Sequence, residues 1–81
     1  MHEVGIIQDL INSIQKKISG RNDFKEVKKV YIRLGELMGV TEESLRFWFQ
    51  ALSKGTALEG AVLDINVVSG REIAVDSLEV E

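Results

Sequence analysis

The stretch VYIRLG, residues 30–35, decides the fold of this 81-residue chain. Its aliphatic residues at positions 30, 32 and 34 alternate with Tyr31 and Arg33, a period-two pattern typical of a β-strand with one buried face. Gly35 ends the pattern, and residues 35–39 read as a loop with a glycine at each end. We therefore predict a strand here, followed by a loop.

A helix is predicted on each side of this strand. From about Glu3 to Ser19, apolar residues recur at three- and four-residue spacing, which indicates an amphipathic helix that ends at Gly20. The second helix begins after Thr41, a good N-cap, and ends near Lys54-Gly55. The residues expected to face the core are Ile7, Leu10, Ile11, Ile14 and Ile18 in the first helix and Leu45, Trp48, Phe49 and Leu52 in the second.

Two further strands are predicted after the second helix, because apolar and polar residues alternate again over residues 63–67 and 72–76. An antiparallel hairpin closed by the loop 69–71 would join them. It would place Val67 opposite Ile73 and Ile65 opposite Val75.

The alternation slips after Val75, which indicates a bulge at residues 76–77. Leu78 and Val80 then return to the face that points to the core. The order α-β-α-β-β predicts an α/β (α+β) fold, with two helices packed on one face of a three-stranded mixed sheet. The first two strands would be parallel, joined by a right-handed crossover, and the whole of residues 1–81 would form a single domain.

Composition excludes several classes of function. A net charge of −3 argues against a nucleic-acid-binding surface, and the absence of cysteine excludes disulfides and thiolate zinc sites. The serines have no histidine besides His2 and no nucleophile-elbow spacing, so a catalytic triad has no support and we expect no enzyme. Nothing approaches the ~20 consecutive apolar residues of a membrane span. We expect a cytoplasmic protein.

The candidate metal ligands lie in Met1-His2-Glu3. The terminal amine, the next backbone amide and the imidazole can close a five- and a six-membered ring around one ion, and Glu3 adds an amide and a carboxylate. Nitrogen-rich, tetragonal sets of this kind suit Ni(II) or Cu(II). The alternative is a frayed terminus with a chance histidine, in which Glu3 only favours the helix N-terminus. Taken alone, the tripeptide favours this alternative.

Several segments together resemble the HypA/HybF family, the nickel metallochaperones of nickel–iron hydrogenase maturation. Each segment is weak alone, but their order and spacing make the match specific. They are Met1-His2-Glu3, Gly35-Glu36-Leu37 followed by Gly39-Val40, Leu45-Arg46-Phe47, Gly55-Thr56, Glu59-Gly60-Ala61, and the closing residues 77–81.

This resemblance implies a small nickel-binding domain rather than an enzyme, with His2 and Glu3 at the metal. The family hands Ni(II) on together with the GTPase HypB, towards the hydrogenase large subunit, and in some bacteria also serves urease. Family members carry a zinc-binding segment with two CxxC pairs between the last two strands. Here Ser69-Gly70 joins those strands directly. The resemblance therefore implies that the zinc segment is deleted between Val68 and Arg71, by engineering or in a natural paralogue, and that the chain holds no zinc.

The alternative function is a protein-interaction or dimerisation module that binds no metal. A three-stranded sheet leaves two edge strands, and a small core is buried more easily in a homodimer. The short connection at residues 69–71 also favours exchange of elements between protomers, which would give a domain-swapped dimer. Phe47 falls outside the apolar stripe of its helix and is expected to be an exposed contact residue.

Overall fold

The computed structural model describes residues 2–81, and its side chains from Glu3 onward. The elements are helix α1 (His2–Ile18), strand β1 (Val27–Gly35), a short 3-10 helix (Glu36–Met38), helix α2 (Glu42–Leu52), strand β2 (Val62–Val68) and strand β3 (Ile73–Val80). The predicted order and the α+β class are confirmed. No helix in this part of the chain is long and apolar enough to cross a bilayer.

Strand β1 lies in the centre of the sheet, between β2 and β3. It pairs in parallel with β2 and antiparallel with β3, so the predicted mixed sheet and its parallel pair are confirmed. The predicted hairpin between the last two strands is wrong. Val67 and Ile73 do not face each other, because both pair with Leu34, on opposite sides of it. Ile65 and Val75 are separated by Ile32 in the same way.

The short connection between β2 and β3 crosses over the end of β1. Two strand spacings amount to about 9.5 Å, and four extended residues reach about 13 Å, so residues 69–72 are long enough. Gly35, at the end of β1, donates its N–H to the carbonyl of Glu72 at 2.7 Å. Burial explains why this arrangement is preferred, since β1 has the most buried side chains of the three strands.

The core lies between the helices and one face of the sheet. Three apolar rows cross all three strands, and each is centred on a buried residue of β1. The rows are Leu63–Val30–Leu78, Ile65–Ile32–Val75 and Val67–Leu34–Ile73. Both helices cover this face, and the predicted core residues of α1 and α2 belong to the same cluster. Tyr31 and Arg33 lie on the other face, as their alternation predicts.

The helix ends agree with the predicted signals, with one correction. Gly20 has a φ of 81°, as expected of the residue that ends α1. The Thr41 hydroxyl accepts the N–H of Ser44 at 3.1 Å, which confirms the N-cap of α2. Helix α2 ends at Leu52, two residues earlier than predicted, because the Ser53 N–H makes the last bond to Phe49. Lys54 and Gly55 belong to the turn that follows.

Strand β3 contains the predicted bulge. Val75 pairs with Ile32 and Ser77 with Tyr31, so Asp76 is the extra residue. Two residues predicted on the buried face are nevertheless exposed: Val67 to 47% and Val80 to 45%. Both lie near the ends of edge strands.

Candidate metal centre

Two of the candidate ligand residues, His2 and Glu3, open helix α1. The start of this helix lies beside the beginning of β3. Ile6 and Leu10 of α1 line one groove together with Ile73 and Val75 of β3. At its other end α1 lies near the end of β3, since Ile18 and Leu78 share a second groove. Helix α1 and strand β3 therefore run in the same direction, and both begin at one end of the sheet.

The connection between β2 and β3 lies at this same end. The carbonyl of Gly70 accepts the N–H of Leu37 at 2.8 Å, which ties the connection to the 3-10 helix after β1. A Cβ atom on Gly35 would come within 2.5 Å of the Gly70 oxygen. Only glycine leaves room for this crossing. The start of α1, the end of β1 and residues 69–72 thus share one end of the molecule.

Of the three predicted ligands, the structure describes the side chain of one. Glu3 lies in the first turn of α1 and is partly exposed. Met1 and the side chain of His2 lie outside the described residues, so their arrangement around a metal remains a prediction. From Glu3 onward, no three His, Cys, Asp or Glu side chains form a group that could hold a metal ion.

The first turn of α1 has backbone donors to offer. The first four N–H groups of an α-helix have no acceptor within the helix. Helix α1 begins at His2, so the amide nitrogens of His2 and Glu3 can bind a metal without breaking a helical hydrogen bond. The positive end of the helix dipole disfavours a bare cation there. The Glu3 carboxylate and a deprotonated amide would offset that charge.

The ion pair Arg21–Asp23, in which the pKa of each group is shifted, lies away from this end. Beyond α1, the Arg21 guanidinium donates to the Asp23 carboxylate at 2.6 Å. This hydrogen bond lowers the pKa of Asp23, although both side chains are exposed. The pair therefore has no direct effect on the candidate ligands.

Two features near strand β2 were missed in the sequence analysis: the contacts of Arg46 and the burial of Leu58. Arg46 of α2 donates to the backbone carbonyl of Leu63 at 2.6 Å and lies 3.7 Å from Glu42. The spacing of Glu42 and Arg46 by four residues was a visible signal for the ion pair. Leu58 is fully buried in the turn before β2. It stands outside any periodic pattern, so no local signal identified it.

The model of one protein family matches residues 1–73 of the chain, and its description reads "Hydrogenase/urease nickel incorporation, metallochaperone, hypA". The chain belongs to the HypA family. The match includes Met1-His2-Glu3 and ends just after the connection between β2 and β3, and it confirms the family resemblance found in the sequence.

Curated members of the HypA family match over most of this chain. The hydrogenase maturation factor HypA of Geobacter sp. strain M21 is 43% identical over 70 residues, which cover 86% of this chain and 60% of the relative. That of Methylocella silvestris is 39% identical over 70 residues, covering 86% and 61%. The chain thus spans about three fifths of the length of the curated relatives it matches.

Proposed function

We propose that this chain is a Ni(II)-binding domain that acts in metallochaperone function for hydrogenase maturation, and for urease where that enzyme is present. The observation that carries the proposal is the HypA family match over residues 1–73, which begins at the candidate ligands. Nickel is the cargo of such a protein rather than a resident cofactor. The role is delivery, with no reaction catalysed by the chain.

The proposed ligands are the Met1 amine, the His2 amide and imidazole, and either the amide or the carboxylate of Glu3. Support comes from the start of α1, where amide nitrogens have no helical acceptor. Because a metal-bound imidazole must be neutral and an amide must lose its proton, affinity should collapse as the pH falls below about 6.5. Four such donors suit a square-planar or tetragonal Ni(II) ion.

A nickel titration of the untagged protein, followed by calorimetry and by d–d absorption, tests this proposal. We expect uptake of one Ni(II) per chain at neutral pH, with the absorption of square-planar nickel. His2→Ala should lower the affinity about 100-fold or more, since it removes one ligand and opens a chelate ring. Asp9→Asn, on the same helix, is the control and should bind like the parent chain. Equal affinity for His2→Ala and the parent would show that the site is elsewhere.

A second experiment separates the terminal amine from the side chains. One glycine added before Met1 moves the amine out of its chelate ring but leaves His2 and Glu3 unchanged. Weaker binding and a loss of the square-planar absorption are expected. Unchanged binding would mean that the amine is not a ligand. Glu3→Gln then reports whether the Glu3 carboxylate binds the metal or only offsets its charge.

We further propose that the zinc segment of the family belongs between Val68 and Arg71, and that this chain holds no zinc. Two observations support the position. The family match ends at residue 73, and Ser69, Arg71 and Glu72 are exposed at one end of the sheet, outside the core. Metal analysis of the purified chain should find no zinc, and a protein with the relatives' segment restored at this point should bind one zinc ion.

The proposed partners are a HypB-type maturation GTPase and the hydrogenase large subunit. Support comes only from the family, whose described role is nickel incorporation. Binding of the GTPase to this chain, measured with and without Ni(II), tests the first partner. The alternative of a metal-free interaction module is not favoured by the family. Two results together would favour the metal-free module instead: no nickel uptake by the chain, and equal binding of a partner to the chain and to its His2→Ala variant.

A further inference from the structure

Strand β2 has an unusually regular and apolar free edge. Among the described residues it pairs only with β1, in an unbroken register from Val62 to Val68. Two of its valines are largely exposed, Val62 to 57% and Val67 to 47%. Its one charged residue is Asp64. A long, flat edge with apolar side chains is a template for pairing with another strand.

A second copy of β2 fits this edge in one antiparallel register. With Ile65 opposite Ile65 of the second copy, all seven residues of the strand find a partner. Asp64 then faces Asn66, so no like charges oppose each other. Shifting to the symmetric register with Asp64 opposite Asp64 is unfavourable and would leave Val67 and Val68 without partners in β2. The opposite shift, with Asn66 opposite Asn66, would leave Val62 and Leu63 without partners. The facing pairs are Val62–Val68, Leu63–Val67, Asp64–Asn66 and Ile65–Ile65.

In this register Val67, which is exposed on the inner face of the sheet, would be covered. Helix α2 covers the beginning of β2, and a groove of about 250 Å³ lies between them, lined by Phe49, Ala61 and Leu63 among others. In the paired arrangement Val67 of the second copy lies opposite Leu63, at this groove. Each copy would thus cover with its own α2 the valine that the other copy leaves exposed.

We propose that the chain forms a symmetric dimer through antiparallel pairing of its β2 strands, which gives a six-stranded sheet with all four helices on one face. The occupant of the groove is Val67 of the second copy. The small core of an 81-residue chain gains apolar burial in this way. This dimer needs no exchange of elements and does not depend on nickel binding. Its test can therefore fail while the proposed function stands.

Arg46 has to be accommodated at the interface, because it donates to the Leu63 carbonyl. A carbonyl oxygen has two lone pairs, so this bond and an intermolecular one can coexist. The Arg46 side chain is about half exposed and can also move aside while keeping its contact with Glu42. Arg46→Ala removes this competing donor and should leave the dimer as strong or strengthen it.

Sedimentation equilibrium in EDTA, from about 5 µM to 1 mM protein, measures the dimer. Val67→Lys places a charge in the groove of the second copy and should raise the dissociation constant about tenfold or more. Val80→Lys is the matched control, because Val80 is exposed to 45% on the other edge strand. Its dissociation constant should stay within about twofold of the parent value. A monomer at all concentrations, or equal effects of the two variants, would overturn the proposal.

Cross-linking tests the register independently of any loss of folding in Val67→Lys. The chain has no cysteine, so Ile65→Cys carries a single thiol, about 5 Å from its counterpart in the proposed dimer. A short bifunctional thiol reagent should link Ile65→Cys into covalent dimers. Val75→Cys, at the equivalent row position in β3, should stay mostly monomeric. Equal yields from the two variants would exclude the β2 interface, and preferential linking of Val75→Cys would assign the contact to β3.

Discussion

The two edge strands of the sheet differ in how they are protected. Strand β3 is interrupted by the bulge at Asp76, and its charged residues are tied to the central strand: Arg33 donates to Asp76 at 3.1 Å and Tyr31 to Glu79 at 3.2 Å. Strand β2 has an unbroken register and a single acidic residue. Bulges and charges are common devices that prevent an edge from pairing with another chain. Of the two edge strands, only β3 combines a bulge with several charged side chains, so β2 is the less protected edge.

The largest expected effect comes from breaking the crossing that separates the two edge strands. In Gly35→Ala, the new Cβ would lie within 3 Å of backbone atoms of Gly70 and Glu72. Residues 69–72 would have to move, and we expect a loss of about 3 kcal/mol or more in the free energy of unfolding. Urea denaturation measures it.

Gly5→Ala is the control for this prediction. A Cβ at Gly5 meets no atom within 4 Å, and Gly5 lies inside α1. Alanine is the better helix former, so a gain of about 0.5–1 kcal/mol is expected. If the two alanine variants destabilised the protein equally, the close crossing at Gly35 would not be the cause.

A second prediction compares the packing of the two edges. Leu63 of β2 and Leu78 of β3 lie in the same row on either side of Val30, but Leu63 is buried and Leu78 only partly so. Leu63→Ala should therefore cost about 2–4 kcal/mol and Leu78→Ala about 1–2 kcal/mol. The same denaturation experiment measures both. A larger loss for Leu78→Ala than for Leu63→Ala would contradict the expectation that burial decides the two losses.

A third prediction concerns the ion pair between Arg33 of β1 and Asp76 of β3. Arg33 and Asp76 are about half exposed, so their interaction should contribute less than about 1 kcal/mol and weaken as salt is added. A double-mutant cycle with Arg33→Ala and Asp76→Ala isolates this term. A coupling energy that does not change with salt would show that the bulge geometry, rather than charge, links the two residues.

The smallest effect is expected outside both edges, at Asp23. Its pKa is lowered by the hydrogen bond from Arg21, so the pair stabilises the fold at neutral pH. That contribution should vanish as the pH falls from about 3.9 through the lower pKa of the folded state. The difference in denaturation midpoint between the parent and Asp23→Asn, measured from pH 7 to pH 2, should be small and should disappear in acid. A difference that grew in acid would contradict it.

Local patterns in the sequence predicted the elements and their buried faces well. The alternation at residues 30–34 identified the core face of β1, and the slip after Val75 identified the bulge at Asp76. The order of the strands was not predictable in the same way. A short connection containing Gly70 is compatible with a hairpin and with a crossing over β1. Burial of β1 favours the crossing, and the crossing needs a glycine at position 35, far from Gly70 in the sequence.

For the candidate metal centre, too, the sequence predicted the local features but not their surroundings in the fold. The donors at Met1, His2 and Glu3 are adjacent in the chain, so their order showed that a chelate is possible. The family resemblance, rather than the tripeptide alone, made the chelate the favoured prediction. Which parts of the molecule lie near them is a matter of tertiary structure: α1 begins beside the start of β3, at the end of the sheet where residues 69–72 cross. No spacing in the sequence shows that neighbourhood. It places residues 69–72 and the start of α1 at a common end.

The central position of β1 has a consequence for synthesis on the ribosome. Tyr31 must wait for Glu79, a partner 48 positions later in the chain, before its side of the sheet can close. A nascent chain that has emerged only as far as β2 can form the parallel pair but leaves the other edge of β1 open. Contacts of such long sequence separation form slowly. One edge of the central strand therefore stays exposed on the nascent chain until β3 emerges.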